Sequence, residues 1–339
     1  MTEAIQPIMI IGTQRSGSNL LRIMLNQLQE IDAPHPPHIR QIFMPLLPLY
    51  GDLENEVRFK ILLDDVCRYV EANPVAWVPM NFDRSKLYKR CSRKTLVEIA
   101  KALYETKAEI KGAQFWCCKS MANVYFIPAI EKDIQPFYIH LVRDGRDVAA
   151  SFKRAIVGEK HIYHLAMQWR KEQELAAHVV EQFGEKRTAV LFYEPFISDP
   201  EKALTPILQK LGLKWNNAML NFYNSEEAKN TAAAGEMWSK VVTPVDSTNK
   251  KHYSENLSAE EIEFFERIAG RSLLQFGYAL DTKPDEKPFT AEEIQSFAVE
   301  NERLKKQAVK HLVHDAETRL PQQKVLAEIK SRFEVFTES

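Results

Sequence analysis

A glycine loop near the start of the sequence carries residue types that bind a phosphate. It reads Gly-Thr-Gln-Arg-Ser-Gly-Ser-Asn over residues 12–19. An apolar run at 8–11 precedes it, and leucines spaced three to four residues apart follow it, so the pattern predicts a buried strand, a turn and a helix. Such a turn directs backbone N–H groups and the positive end of the helix dipole at one point, which suits a phosphate.

The side chains of this loop differ from those of a magnesium-dependent nucleotide hydrolase. Gly12 and Gly17 have the spacing of a Walker A loop, but Ser18 stands at its lysine position and Asn19 at its magnesium-binding hydroxyl. Phosphoryl transfer needs both the lysine and the metal to neutralise charge. The loop offers Arg15 instead, whose planar guanidinium can bind a pair of phosphate oxygens. The structural alternative is an ordinary glycine turn with an exposed arginine.

A second group of anion-binding side chains follows another predicted strand. Residues 137–142 (FYIHLV) read as a strand, and Arg143 comes directly after it, at the end of the sheet where α/β proteins bind ligands. If Asp147 starts a helix, Ser151 lies one turn further on, facing Arg143, so the two could share one phosphate. The alternative is a surface charge cluster. Two phosphate sites without a magnesium site predict a nucleotide with phosphates at two positions.

The elements around these loops predict an α/β fold. A third apolar strand at 188–193 and helical patterns at 201–211 and after Ser258 alternate with the other strands, as in a parallel sheet with helices on both faces. A charged linker at 283–287 separates a domain at 1–282 from a C-terminal helical arm at 283–339. We expect this arm to pack either on the core or on a partner subunit, and only the second arrangement would make the protein a homo-oligomer.

The composition excludes several classes of protein. The chain has 339 residues, 45% of them hydrophobic, which excludes a disordered chain, and its formal net charge of −1 argues against nucleic-acid and anionic-membrane binding. No apolar stretch approaches the roughly 18 residues of a membrane span, and the first residues lack the basic region of a signal peptide. Four cysteines are too few for a disulfide scaffold and lack metal-ligand spacing. We therefore expect a soluble, cytoplasmic protein.

Read in order, these motifs resemble those of the sulfotransferases that use 3′-phosphoadenosine 5′-phosphosulfate (PAPS). The run Arg15-Ser-Gly-Ser-Asn-Leu-Leu resembles their 5′-phosphosulfate loop, and the run from Val142 to Ser151 resembles their 3′-phosphate motif. Three further matches follow in chain order: Cys118-Lys119-Ser, Tyr193-Glu-Pro with Asp199-Pro, and Leu257-Ser-Ala with Gly277-Tyr. Together, the matches span roughly residues 8–280. The resemblance implies a three-layer fold like that of the P-loop NTPases.

The resemblance also implies what each matched residue does. The donor would be PAPS, used without a metal, and the acceptor a hydroxyl or an amine. Arg15 and Lys119 would stabilise the charge that builds on the bridging oxygen as the 3′,5′-bisphosphate departs. Arg143 and Ser151 would hold the 3′-phosphate. The remaining donor contacts would come from the loop and from later segments: Ser16, Gly17, Ser18, Asn19, Leu20, Tyr193, Ser239 and Lys251.

A loop rich in histidine and proline would supply the base. Cytosolic relatives use a histidine and the tyrosylprotein type a glutamate, and the corresponding stretch here contains His35 and His38 but no glutamate. Histidine titrates close enough to neutral pH to accept a proton. His35 is the first choice and His38 the alternate, although the loop could instead shape the acceptor pocket. Glu172 and Glu174 are expected on an exposed helix, and His140 in the core.

The acceptor is predicted only as a class. Its pocket would be built from loops around 33–90 and 155–170, whose Pro, Tyr, Phe and Trp suit an apolar or aromatic small molecule or a lipid. Two other functions stay open from the sequence. One is a metal-dependent nucleotide kinase or hydrolase that uses the glycine loop, against which Ser18 argues. The other is a non-catalytic nucleotide-binding module.

Overall fold

The fold is built on a parallel sheet of five strands. The structure is a computed structural model that describes residues 4–77, 81–283, 287–311 and 313–334. The strand order is β2-β3-β1-β4-β5, and β1 lies at the centre with Ile8 opposite both Cys117 and Phe137. The strands are β1 (Gln6–Gly12), β2 (Ile31–Asp32), β3 (Phe115–Cys118), β4 (Phe137–Val142) and β5 (Thr188–Phe192).

Helices cover both faces of this sheet. Short 3₁₀ segments at Met44–Leu46, Met121–Phe126, Asn217–Asn224 and Glu236–Val242 join some of them. The α-helices are α1 (Ser18–Leu25), α2 (Ile39–Phe43), α3 (Leu47–Tyr50), α4 (Glu56–Glu71), α5 (Arg84–Arg90), α6 (Leu96–Lys111), α7 (Ile127–Asp133), α8 (Gly145–Lys153), α9 (Ile162–Arg187), α10 (Tyr193–Ser198), α11 (Pro200–Lys210), α12 (Glu226–Ala233), α13 (Tyr253–Asn256), α14 (Ala259–Gln275), α15 (Ala291–His311), α16 (Val313–Glu317) and α17 (Leu320–Glu334).

The core lies on the two faces of the sheet because the central strands are apolar at most positions. Met9 and Ile11 of β1 pack into one cluster, whereas Ile8 and Ile10 pack into the cluster on the other face. Alternate side chains of a strand point to opposite faces, so a strand buried on both sides reads as a continuous apolar run. The predicted α/β fold, with a parallel sheet between helical layers, is confirmed.

The carboxyl ends of four strands carry the residues that the sequence motifs single out. The glycine loop follows β1, Lys119 follows β3, Arg143 follows β4 and Tyr193 follows β5. The carboxyl ends of parallel strands lie at one edge of the sheet, and ligands bind in the crevice outside that edge. The sheet therefore gathers residues that are far apart in the sequence.

The C-terminal helices fold back over the core. Asn301 of α15 is buried, and its side-chain oxygen accepts hydrogen bonds from the backbone N–H groups of Lys160 (2.8 Å) and His161 (3.0 Å). In α17, Ile329 is fully buried in the cluster that includes α4, and the Gln322 amide donates to the backbone carbonyl of Tyr69 (3.2 Å). Residues 284–286 of the proposed linker lie outside the described residues, and the division of the chain at residue 283 stays a prediction.

No described helix combines the length and the apolar character needed to cross a membrane.

Candidate active site

The glycine loop folds tightly because of its backbone conformation. Gly12 and Gly17 have φ angles of +121° and +87°, which favour glycine, and Arg15 adopts the left-handed region at +69°. A Cβ atom on Gly17 would lie 2.4 Å from a ring carbon of Tyr193, so this position also needs glycine for space. Helix α1 begins directly after Gly17, and Ser18 stands in its first turn. The loop therefore presents the unpaired N–H groups of a helix start.

Arg15 and Arg143 lie in one site. Arg143 Nη1 donates to the backbone carbonyl of Arg15 (3.0 Å), and Arg15 Nε donates to the hydroxyl of Ser151 (3.1 Å). The guanidinium of Arg143 lies 4.2 Å from the ring centre of Tyr193, whose hydroxyl accepts a hydrogen bond from the Asn249 amide (2.8 Å). The structure thus brings together the two groups of anion-binding residues that the sequence separates by more than a hundred positions.

These residues line a cavity of about 1290 Å³. Two of the predicted site residues do not line the cavity. Ser16 is buried, without a place in the lining. Lys251 is exposed, and its backbone N–H donates a hydrogen bond to the Asp147 carboxylate (2.8 Å). The candidates that line the cavity are Arg15, Gly17, Ser18, Asn19, Leu20, His35, His38, Lys119, Arg143, Ser151, Tyr193 and Ser239.

Lys119 is a buried cation at the end of β3. Its side chain lies among other cations, and the residue is only 6% exposed. Burial, with the positive charges of Arg22 and Arg15 adding to it, lowers the pKa of Lys119 to about 7. An anion bound in the cavity would favour the charged form of this lysine. The site is therefore built to hold negative charge.

His35 and His38 also line the cavity, but they are poor proton acceptors. The ring of His35 packs edge-on against Trp238 at 4.7 Å, and both its nitrogens lack a hydrogen-bond partner among the described residues. Burial first, and then the charges of Arg22 and Lys119, hold the pKa of His35 well below its usual value. Burial likewise lowers the pKa of His38 to about 3. Both imidazoles are neutral at neutral pH.

The sequence predicts that Glu172 lies on an exposed helix, and this prediction was wrong. Glu172 of α9 is only 4% exposed and lines the cavity, where it accepts hydrogen bonds from the Gln168 amide (3.0 Å) and the Tyr125 hydroxyl (3.1 Å). Burial raises the pKa of Glu172 to about 7. Glu174 is exposed as expected and accepts from Ser272 (2.8 Å). His140 is buried as expected and pairs with Gln173 (2.7 Å).

A signal for Glu172 was present in the sequence. Leu165, Ala166, Trp169 and Ala176 form the buried stripe of α9, and position 172 falls on that stripe at helical spacing. Tyr125 and Trp238 also line the cavity, but the sequence carries no periodic pattern that would indicate them, because each lies in a short 3₁₀ segment. No cluster of three or more His, Cys, Asp or Glu side chains able to hold a metal is found in the part of the chain that the structure describes.

The fold resembles those of two solved sulfotransferase domains. No curated protein matches the chain. The fold resembles the "Sulfotransferase Domain from the Synechococcus PCC 7002 Olefin Synthase", with 22% identity, a TM-score of 0.52, and coverage of 82% of this chain and 96% of that one. It also resembles the "Sulfotransferase Domain from the Curacin Biosynthetic Pathway", with 17% identity, a TM-score of 0.51, and coverage of 82% and 100%.

A family model described as "Sulfotransferase family" matches residues 7–217, which is more than half of the chain. The matched stretch includes the glycine loop, Lys119 and the Arg143 to Ser151 segment, each of which contributes residues to the cavity lining. The chain therefore belongs to the sulfotransferase family.

Proposed function

We propose that this protein transfers a sulfuryl group from PAPS to a hydroxyl or amine acceptor. The observation that carries the proposal is the contact of Arg143 with the backbone of Arg15, which sets two anion-binding groups side by side in one cavity. A nucleotide with phosphates at two positions matches that arrangement. ATP or AMP would leave one group unused.

The proposed roles follow from the position of each side chain. The 5′-phosphosulfate lies at the start of α1, where the loop N–H groups and Ser18 and Asn19 bind it. Arg143 and Ser151 bind the 3′-phosphate. On binding, the hydroxyl of Ser151 exchanges its contact with Arg15 for one with the phosphate. Tyr193 supports Arg143 through the face of its ring.

Arg15 and Lys119 act on the leaving group. As the bond between sulfur and the bridging oxygen breaks, negative charge builds on that oxygen, and fixed donors lower the barrier by a few kcal/mol each. Lys119 is buried beside other cations, so the largest fraction of it is protonated when the negative charge of the bound donor lies nearby. The chemistry needs no step at a metal.

The histidines are proposed to contact the acceptor. His35 faces the cavity with no hydrogen-bond partner among the described residues, so its ring can accept a hydrogen bond from an acceptor hydroxyl. His38 is the alternate. A base works best when its pKa lies near the operating pH, so imidazoles with such low pKa values take up a proton poorly. We propose a small molecule or a lipid as the acceptor, with Trp238 and Tyr69 in its walls.

The experiment is a transfer assay with ³⁵S-labelled PAPS, a chelator and a panel of phenols, aliphatic alcohols and amines. The wild type should label at least one acceptor, and Arg15→Ala should lower the rate by about 10²-fold or more. Arg303→Ala is the matched control, because Arg303 pairs with Glu300 on the exposed face of α15. Transfer that is as fast in Arg15→Ala as in Arg303→Ala would refute the proposal.

A further inference from the structure

We propose that Glu172 is the base that takes the proton from the acceptor hydroxyl. The inference rests on the proposed sulfuryl transfer and assigns a residue to its proton-transfer step. Glu172 lines the cavity and accepts hydrogen bonds from two elements, from Gln168 of its own helix and from Tyr125 of the segment after β3.

The neighbours of Glu172 set its place in the cavity. The adjacent residue, Gln173, contacts the start of the glycine loop, with its amide 3.3 Å from the Thr13 hydroxyl. Tyr125 belongs to the 3₁₀ turn that begins two residues after Lys119. Glu172 therefore lies between the loop that would bind the phosphosulfate and the segment that carries Lys119. That is the end of the cavity where sulfur and acceptor would meet.

The two oxygens of the Glu172 carboxyl group differ in their hydrogen bonds. Oε1 accepts the hydrogen bonds from Gln168 and Tyr125, whereas Oε2 is buried and makes no hydrogen bond with a described residue. Buried polar atoms are nearly always hydrogen-bonded, so a buried oxygen without a donor among the described residues, on a side chain that lines the cavity, can be satisfied by a donor from a bound ligand. An acceptor hydroxyl is such a donor.

The acidity of Glu172 suits this role. Burial raises the pKa of Glu172 to about 7, and this effect outweighs the nearby polar groups of Gln168, Thr13 and Tyr125 and the charge of Lys171, which lower the pKa. At neutral pH a substantial fraction is ionised, and a base with this pKa is far stronger than an ordinary carboxylate. The two histidines, in contrast, have pKa values far below neutral.

The proposed reaction moves one sulfuryl group and one proton. The acceptor oxygen forms a bond to the sulfur of PAPS while its proton moves to Oε2 of Glu172. The bond between sulfur and the bridging oxygen breaks, and 3′-phosphoadenosine 5′-phosphate leaves with the electron pair of that bond. Arg15 and Lys119 stabilise the departing oxygen. The proton on Glu172 then passes to solvent through the open cavity.

The test compares Glu172→Gln with Glu174→Gln, its exposed neighbour on the same helix. With ³⁵S-labelled PAPS and phenols of graded acidity, Glu172→Gln should lower kcat/KM by about 10² to 10⁴-fold for a weakly acidic phenol and less for nitrophenol, which needs a base least. The affinity for 3′-phosphoadenosine 5′-phosphate should be unchanged. Equal loss across the phenols, or rates equal to those of Glu174→Gln, would overturn the inference.

A second variant covers the case in which Glu172→Gln does not fold. Tyr125→Phe removes a hydrogen bond that favours the ionised carboxylate, so the lower inflection in the pH profile of kcat/KM should move upward. An inflection that stays in place would overturn the inference.

Infrared difference spectra provide a readout without turnover: wild type, but not Glu172→Gln, should lose a protonated-carboxyl band as the pH rises through about 7. Failure of the wild type to bind the bisphosphate at all would instead refute the proposed function.

Discussion

The Nε atom of Arg15 lies 3.1 Å from the hydroxyl of Ser151, although 136 positions separate the two residues in the sequence. Arg15 belongs to the loop after β1, and Ser151 to the helix α8 that follows β4. Because β1 and β4 are neighbours in a parallel sheet, their carboxyl ends bring the loop and the helix together. This contact joins the part of the site proposed for the phosphosulfate to the part proposed for the 3′-phosphate.

Replacing Arg143 should weaken the binding of 3′-phosphoadenosine 5′-phosphate selectively. A hydrogen bond to a charged group contributes about 1.5 to 3 kcal/mol, so Arg143→Ala should lower the affinity by roughly 10 to 150-fold. The affinity for AMP, which has no 3′-phosphate, should change little. Isothermal titration calorimetry of both ligands checks this, with Arg303→Ala as the control. An equal loss for the two ligands would contradict the assignment of Arg143 to the 3′-phosphate.

Binding of the bisphosphate should take up a proton at Lys119. The pKa of this lysine is about 7 in the unliganded protein, and a bound anion favours the charged ammonium. As the pH rises above 7, the lysine of the free protein becomes neutral and must be protonated on binding. The affinity should therefore fall, by at most about tenfold per pH unit.

Calorimetry in buffers of different ionisation enthalpy measures this proton uptake directly. Lys119→Met should weaken binding at pH 7 and flatten its dependence on pH. The same steep dependence in wild type and Lys119→Met would show that another group titrates.

Gly17→Ala should destabilise the protein more than Gly212→Ala. Both glycines have positive φ angles, so alanine costs roughly 1 to 2 kcal/mol at either position. At Gly17 the new Cβ atom would also meet the Tyr193 ring at 2.4 Å, whereas nothing lies within 4 Å at Gly212. Crowding of this kind typically adds about 1 to 3 kcal/mol. Urea denaturation measures the two free energies of unfolding, and equal losses would mean that the Tyr193 contact has no energetic weight.

Asn301→Ala should loosen the C-terminal helices from the core. The change leaves the backbone N–H groups of Lys160 and His161 without their side-chain acceptor, at a cost of about 1 to 3 kcal/mol. The exposed Asn230→Ala on α12 is the control and should stay within about 0.5 kcal/mol of wild type. Limited proteolysis near residue 290 should become faster in Asn301→Ala. Unchanged proteolysis would contradict a fixed position of α15.

The sequence predicts the central strands and both anion-binding segments because each combines an apolar run with a distinctive loop. The strand at 137–142 matches β4, and the strand at 8–11 falls within β1. Strand β2 has only two residues, Ile31 and Asp32, which is too short to produce a pattern. The prediction was wrong for Glu172 because the many charged residues of α9 hide the buried stripe on which position 172 falls.

Titration with 3′-phosphoadenosine 5′-phosphate, in the presence of a metal chelator, shows whether one site binds a nucleotide with phosphates at two positions. We expect this ligand to bind to the wild type with at least about tenfold higher affinity than AMP or ATP, since only it engages both Arg143 and the glycine loop. Equal affinity for AMP, or binding that disappears when magnesium is removed, would contradict this expectation.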